Sequence, residues 1–145
     1  MTDQRAADPQ PTMHIGAVAE RTGLSLRTLR HYDEVGLVRP SGRSDGGFRL
    51  YTDDDVERLL LVRRMKPLGF ALEEMTDLLD VADRLAARAD TPPSAPAEPT
   101  APGEPATADL RARLAAYVQA AEERREELAR KLAWADELIE LLRSR

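Results

Sequence analysis

The sequence predicts a mainly α fold: a winged helix-turn-helix unit over residues 13–88 and a long coiled-coil helix over 108–145. Three features predict it. Residues 15–51 read as two short helices joined by a tight turn and followed by a glycine-tipped hairpin. From Ala108 to Arg143 an apolar seam repeats with heptad spacing. Between them, residues 91–106 hold six of the ten prolines, a composition that makes a semi-extended linker rather than a core.

The chain begins with a polar stretch, residues 1–12, read as a disordered tail; it lacks the apolar segment of a signal peptide. Ile15, Val18 and Ala19 then form a small helical stripe, and Gly23 suits a C-terminal cap. Ser25 is a good N-cap for a second helix ending at Gly36, with Leu26, Leu29, Tyr32 and Val35 facing inward. The opposite face carries Arg27, Arg30, His31 and Glu34, with Thr28 beside them. Helix, short turn and basic outer helix is the pattern of a DNA-reading pair, in which arginine pairs with guanine edges or clamps phosphates. The same pattern also fits an ordinary helical domain whose arginines are merely solvated. Leu37-Val38 and Phe48–Tyr51 have strand-like content around a Gly- and Ser-rich turn. Arg43 near the hairpin tip and Arg49 on the return strand can reach a nucleic-acid backbone, and Tyr51 is either a contact or a core aromatic.

These motifs, in this order, carry a resemblance. IG-x-x-A-x-x-TG, S-x-RTLR-x-YD, GL-x-x-P, GG-x-R-x-Y, VRRM and LGF-x-LEEM follow one another across residues 13–80. The chain resembles the MerR family of bacterial transcription regulators. The resemblance implies a homodimer on an inverted-repeat site in double-stranded promoter DNA. It also implies a mechanism: the protein distorts DNA between two promoter elements, and so acts on RNA polymerase indirectly. The DNA-binding set expected on this reading is Arg27, Thr28, Arg30, His31, Tyr32, Arg43, Arg49 and Tyr51.

Beyond the hairpin, Thr52 caps a helix with Asp53, Asp54 and Asp55 in its first turn. Arg58, Arg63, Arg64 and Lys66 on it are candidates for phosphate contact or for pairing with nearby acids. Pro67 disturbs its end and Gly69 closes it. The next helix starts near Leu72. Ala71 is a poor N-cap where the family usually has Ser or Thr, and Phe70 with Met75 can form a hydrophobic staple instead.

With Val118 at heptad position a, the seam reads Val118, Arg125, Leu132 and Ile139 at a, and Leu114, Ala121, Leu128, Ala135 and Leu142 at d. A lone helix of this kind, about 54 Å long, has nowhere to bury that stripe, so it needs a partner. The resemblance makes the partner a second copy, paired antiparallel. Arg125 interrupts the seam inside the charge block Glu122–Glu127, where two antiparallel copies would set each arginine against a glutamate.

The net charge of −5 is unevenly spread. Residues 21–49 carry six arginines against Asp33, Glu34 and Asp45, locally +3, whereas residues 70–90 carry two arginines against six acids, locally −4. Phosphate neutralisation is local, so the acidic total predicts weak non-specific binding and strong salt sensitivity rather than no DNA binding. The absence of cysteine excludes disulfides and thiolate metal sites, and no apolar run is long enough for a membrane span. Family members that sense metals carry cysteines after the long helix, and drug-binding members carry a further domain there. Neither follows here, so no metal site and no cofactor is expected, and the effector stays unassigned. No catalytic constellation is present, and a cytoplasmic protein is expected. A coiled-coil adaptor or architectural protein with incidental DNA contact is the alternative reading.

Overall fold

The structure is a computed structural model in which residues 11–89, 103 and 105–145 are described. The expected tail, up to residue 10, and most of the expected linker lie outside them. The chain divides into two units, Met1–Met75 and Thr76–Arg145.

The first unit opens with a short strand, β1 (Thr12–His14), that runs directly into helix α1 (Ile15–Thr22). Gly23 ends α1 in the left-handed conformation at φ 71°, where its N–H reaches Ala19 O at 2.8 Å. The second helix, α2 (Leu26–Glu34), starts at Ser25, whose side chain accepts from Thr28 N at 3.0 Å. Leu29 and Tyr32 face the core, but Leu26 and Val35 are 40 % and 39 % exposed. The expected four-residue inner stripe is therefore half as long: Leu26 is the first residue of the helix, and Val35 lies past its last turn as the C-cap.

The expected strand at Leu37-Val38 does not form. Gly36 adopts φ 76°, and the amides of Leu37 and Val38 turn back onto Tyr32 O at 2.9 and 3.3 Å. With their hydrogen bonds spent locally, both side chains enter the core instead of a ladder. The hairpin is short: β2 (Gly42–Arg43) pairs antiparallel with β3 (Arg49–Thr52), with Arg43 opposite Arg49. β1 pairs along the other edge of β3, setting Met13 opposite Tyr51, so the sheet order is β1-β3-β2.

Helix α3 (Asp53–Met65) follows without a loop. Thr52 and Asp55 form a reciprocal capping box: Thr52 Oγ1 accepts from Asp55 N at 3.2 Å and Asp55 Oδ2 from Thr52 N at 2.9 Å. Asp55 is only 2 % exposed, yet it is well satisfied. Oδ2 also accepts from Ser41 N and Ser41 Oγ at 3.1 and 2.5 Å, and Oδ1 from Arg58 at 3.1 Å. A buried carboxylate held by this many donors ties the hairpin to the start of α3. The core of the unit closes around Val18, Leu29, Tyr51, Val56, Leu59 and Val62. A 3-10 turn at Lys66–Leu68 carries Pro67 and ends at Gly69.

Helix α4 (Leu72–Ala89) begins at Ala71, whose N–H donates to Glu74 Oε1 at 2.9 Å. Phe70 and Met75 are both buried. The second unit holds the rest of α4 and helix α5 (Thr107–Arg143), which are tied together by side-chain contacts. Asp77 accepts from Arg113 and, at 2.5 Å, from Tyr117 Oη. At the other end Arg88 reaches Pro105 O and Thr107 Oγ1 at 2.7 and 3.0 Å. Leu79, Val81 and Leu110 are buried in this unit. From Arg125 onward every residue of α5 is exposed.

Candidate nucleic-acid interface

The outer face of α2 presents Arg27, Arg30, His31 and Glu34 to solvent. Two anchors hold it there: Leu29 and Tyr32 are inserted into the core, and Ser25 caps the first turn. Thr28 is partly buried, and its hydroxyl accepts from Ser25 Oγ at 2.8 Å. The structure thus gathers Arg27, Thr28, Arg30 and His31 on one short helix.

The hairpin residues fall into two groups. Arg43 and Arg49 both donate to one oxygen of Asp33, from Arg43 Nη2 at 3.3 Å and from Arg49 Nε at 2.7 Å. The Asp33 side chain is 13 % exposed, Arg49's is 25 % and Arg43's is 49 %. The hydrogen bond that Arg49 donates to Asp33 raises its already high pKa, so its charge is secure. Arg43 Nη1 also donates to Gly47 O at 3.3 Å, across the hairpin turn. A hollow of about 370 Å³ is lined by Asp33, Arg39, Pro40, Gly42 and Arg43. Arg39 folds over Gly36, where a Cβ would stand 3.1 Å from its Nη2.

The two tyrosines expected as DNA contacts sit elsewhere. Tyr51 is fully buried in β3, and Tyr32 is 4 % exposed. Neither ring offers a face to a nucleic acid in this conformation, which corrects the expectation of direct contact. Both side chains belong to the enclosed core of the unit, with Leu29, Leu59 and Met65. Burial raises both phenol pKa values. Tyr51 Oη has no hydrogen-bond partner among the described residues.

The cations of α3 are largely engaged within the chain. Arg63 Nη1 donates to Thr22 O at 2.6 Å, which satisfies a terminal carbonyl of α1. Arg58 pairs with Asp55, and Arg21 of α1 pairs with Asp53 at 2.8 Å. Arg64 and Lys66 are exposed. Sequence reasoning missed Asp33 and Arg39 as members of the site. Among the described residues there is no group of three or more His, Asp or Glu side chains arranged to hold a metal ion, and no helix long and apolar enough to cross a membrane.

Residues 13–81 match the MerR HTH family regulatory protein pattern. The chain belongs to the MerR family. It is 49 % identical over 63 residues to the HTH-type transcriptional activator mta of Bacillus subtilis, a match covering 43 % of this chain and 24 % of that protein. It is 42 % identical over 79 residues to the uncharacterized HTH-type transcriptional regulator PA4778 of Pseudomonas aeruginosa, covering 54 % and 60 % of the two chains. The matches thus span between about a quarter and three-fifths of these curated relatives. The crystal structure of HiNmlR, a MerR family regulator lacking the sensor domain and bound to promoter DNA, superposes with a TM-score of 0.62. That match is 23 % identical and covers 91 % of this chain and 88 % of that one. The fold is the MerR type: a winged helix-turn-helix with a small sheet and a long C-terminal helix.

Proposed function

We propose that this MerR-family chain is a transcription regulator that reads promoter DNA as a homodimer. The carrying observation is the outer face of α2, where Arg27, Arg30 and His31 stand exposed on a helix locked by its buried side. A helix of that width enters a B-form major groove, and its arginines can reach base edges or phosphates. The hairpin, with Arg39 and Arg43 exposed, flanks the helix over the sugar-phosphate backbone. Phosphate contacts of that kind fix register rather than read sequence.

Two copies joined through α5 would present two such helices related by a two-fold axis, and hence take an inverted repeat. Where the two helices are not set one helical turn apart, seating both would bend or untwist the duplex, and that deformation is how the regulator would realign promoter elements for RNA polymerase. A regulator of this kind works where bacterial promoters are, in the cytoplasm.

The test is binding-site selection: the full chain is presented with random duplex DNA and the retained fraction is sequenced. An inverted repeat of fixed spacing is the expected result. Arg27→Ala should then weaken operator binding by about 1–3 kcal/mol while the melting temperature stays unchanged. Recovery of no common sequence would favour an adaptor working through α5, a reading supported by that helix's exposed apolar residues.

A further inference from the structure

We propose that Asp33 is a positioning residue that sets the discrimination of the DNA interface, holding Arg49 as a fixed strut while lending Arg43 to a phosphate. The inference rests on the reading of α2 and the hairpin as a DNA surface. It begins with the sheet register. Arg43 and Arg49 stand directly opposite each other on β2 and β3. Like charges in that relation repel, and nothing in the strand ladder itself offsets them. The carboxylate of Asp33, in the last turn of α2, supplies the offset, because both guanidiniums donate to its Oδ2.

The two arms differ. Arg49 makes the shorter contact, 2.7 Å against 3.3 Å, and is half as exposed as Arg43. Arg49 therefore fastens the hairpin to the recognition helix, joining residues 16 apart in sequence. Arg43 has the longer contact and a half-exposed side chain at the edge of the hollow shared with Arg39. Its guanidinium has further donors, so it can turn one edge to a phosphate while Asp33 keeps it near the helix. Asp33 also sets the charge of the cluster. With Arg39, Arg43 and Arg49 the four groups sum to +2; without the carboxylate charge they sum to +3.

Opposite effects on two kinds of binding follow. Neutralising Asp33 adds a net positive charge towards a polyanion, which strengthens sequence-independent binding. The same change loosens the hairpin from α2, so phosphate contacts no longer fix the register in which α2 meets the bases. Non-specific affinity should rise while discrimination falls. A residue that only stabilised the fold would weaken both together.

The experiment compares wild type, Asp33→Asn, Asp33→Glu and Arg43→Ala as full chains. The probes are the operator obtained by selection with the wild type and a random-sequence duplex of the same length, each titrated over a range of salt. For Asp33→Asn we expect several-fold tighter random-duplex binding at low salt and a log–log salt slope steeper by about one. Its operator-to-random ratio should fall roughly tenfold. Asp33→Glu should stay near wild type. Arg43→Ala, which leaves the Asp33–Arg49 contact in place, should flatten the slope by about one at an unchanged melting temperature. An unchanged slope and ratio in Asp33→Asn, or an equal loss on both probes, would overturn the proposal. So would an unchanged slope in Arg43→Ala, which stays informative even if Asp33→Asn folds poorly. If wild type retains no common sequence, the DNA-reading proposal itself fails, a result distinct from these.

Discussion

Tyr51 makes the sharpest single-residue case, because its ring and its hydroxyl pull in opposite directions. The ring is fully buried on β3, as are Val18, Val56 and Leu59 in the same unit. The hydroxyl is buried with it and has no partner among the described residues. An unsatisfied buried polar group costs about 1–3 kcal/mol, so removing it while keeping the ring should help. Tyr51→Phe is expected to stabilise the domain by about 1 kcal/mol at neutral pH, read as a higher urea midpoint. It should leave operator affinity unchanged, since the ring does not face solvent. Alkaline pH adds a second readout. Burial raises the phenol pKa in the folded chain, so the unfolded chain ionises first. Stability from the protonated phenol is complete below about pH 10 and declines as pH rises through the folded value. The phenylalanine variant should lose less stability over that window. A destabilised variant at pH 7 would mean that the hydroxyl is satisfied after all.

At the scale of elements, helix ends decide most of what the fold looks like, and here one end is incomplete. Ala71 starts α4 with half a capping box: Glu74 reaches back to its N–H, but no side chain at 71 returns the bond. Ala71→Ser should complete it and add about 0.5–1 kcal/mol, seen as a rise in the urea midpoint with no change in its slope. No gain would show that the staple residues already fix the entry angle of the chain. Caps of this sort are written in a few adjacent residues. That is why Gly23, Ser25, Thr52 and Gly69 could be read from sequence at or within a residue of their places. Features that depend on distant partners could not. β1 is three residues long and exists only because β3, nearly forty positions later, offers an edge. Leu37 and Val38 look like strand residues, but the turn at Gly36 sends their amides back to Tyr32. The basic face of α2 was legible from its spacing alone. Asp33 was not, since its partners are ten and sixteen residues away and no periodicity links them.

At the scale of the whole molecule, α5 is the element with the most left unburied. Its 37 residues make a rod about 55 Å long. Val118, Leu128, Leu132, Ile139 and Leu142 along the a/d seam are between 43 % and 64 % exposed. A second stripe, Trp134, Leu138 and Leu141, is exposed to a similar degree, about a third of a turn away. Both could be self-association surfaces, but they differ in reach. The a/d seam runs from Leu114 to Leu142, whereas the second stripe covers only two turns near the end. The proposed homodimer, if antiparallel as the family resemblance implies, would need contact along the rod, so the seam would carry it. Truncating a buried leucine costs about 2–5 kcal/mol, and in a symmetric dimer every substitution counts twice. Leu132→Asp should therefore raise the dimer dissociation constant by at least a hundredfold and give monomer by analytical ultracentrifugation at micromolar concentration. Leu138→Asp, on the second stripe, should leave most of the dimer intact. Arg125→Leu fills the one charged seam position and should change dimer stability or register, because it removes the arginine that would meet a glutamate of the other copy. A dimer that survives Leu132→Asp and is lost with Leu138→Asp would move the interface to the second stripe. The two recognition helices would then be set at a different spacing, and the inverted repeat recovered by selection would have to match that spacing instead.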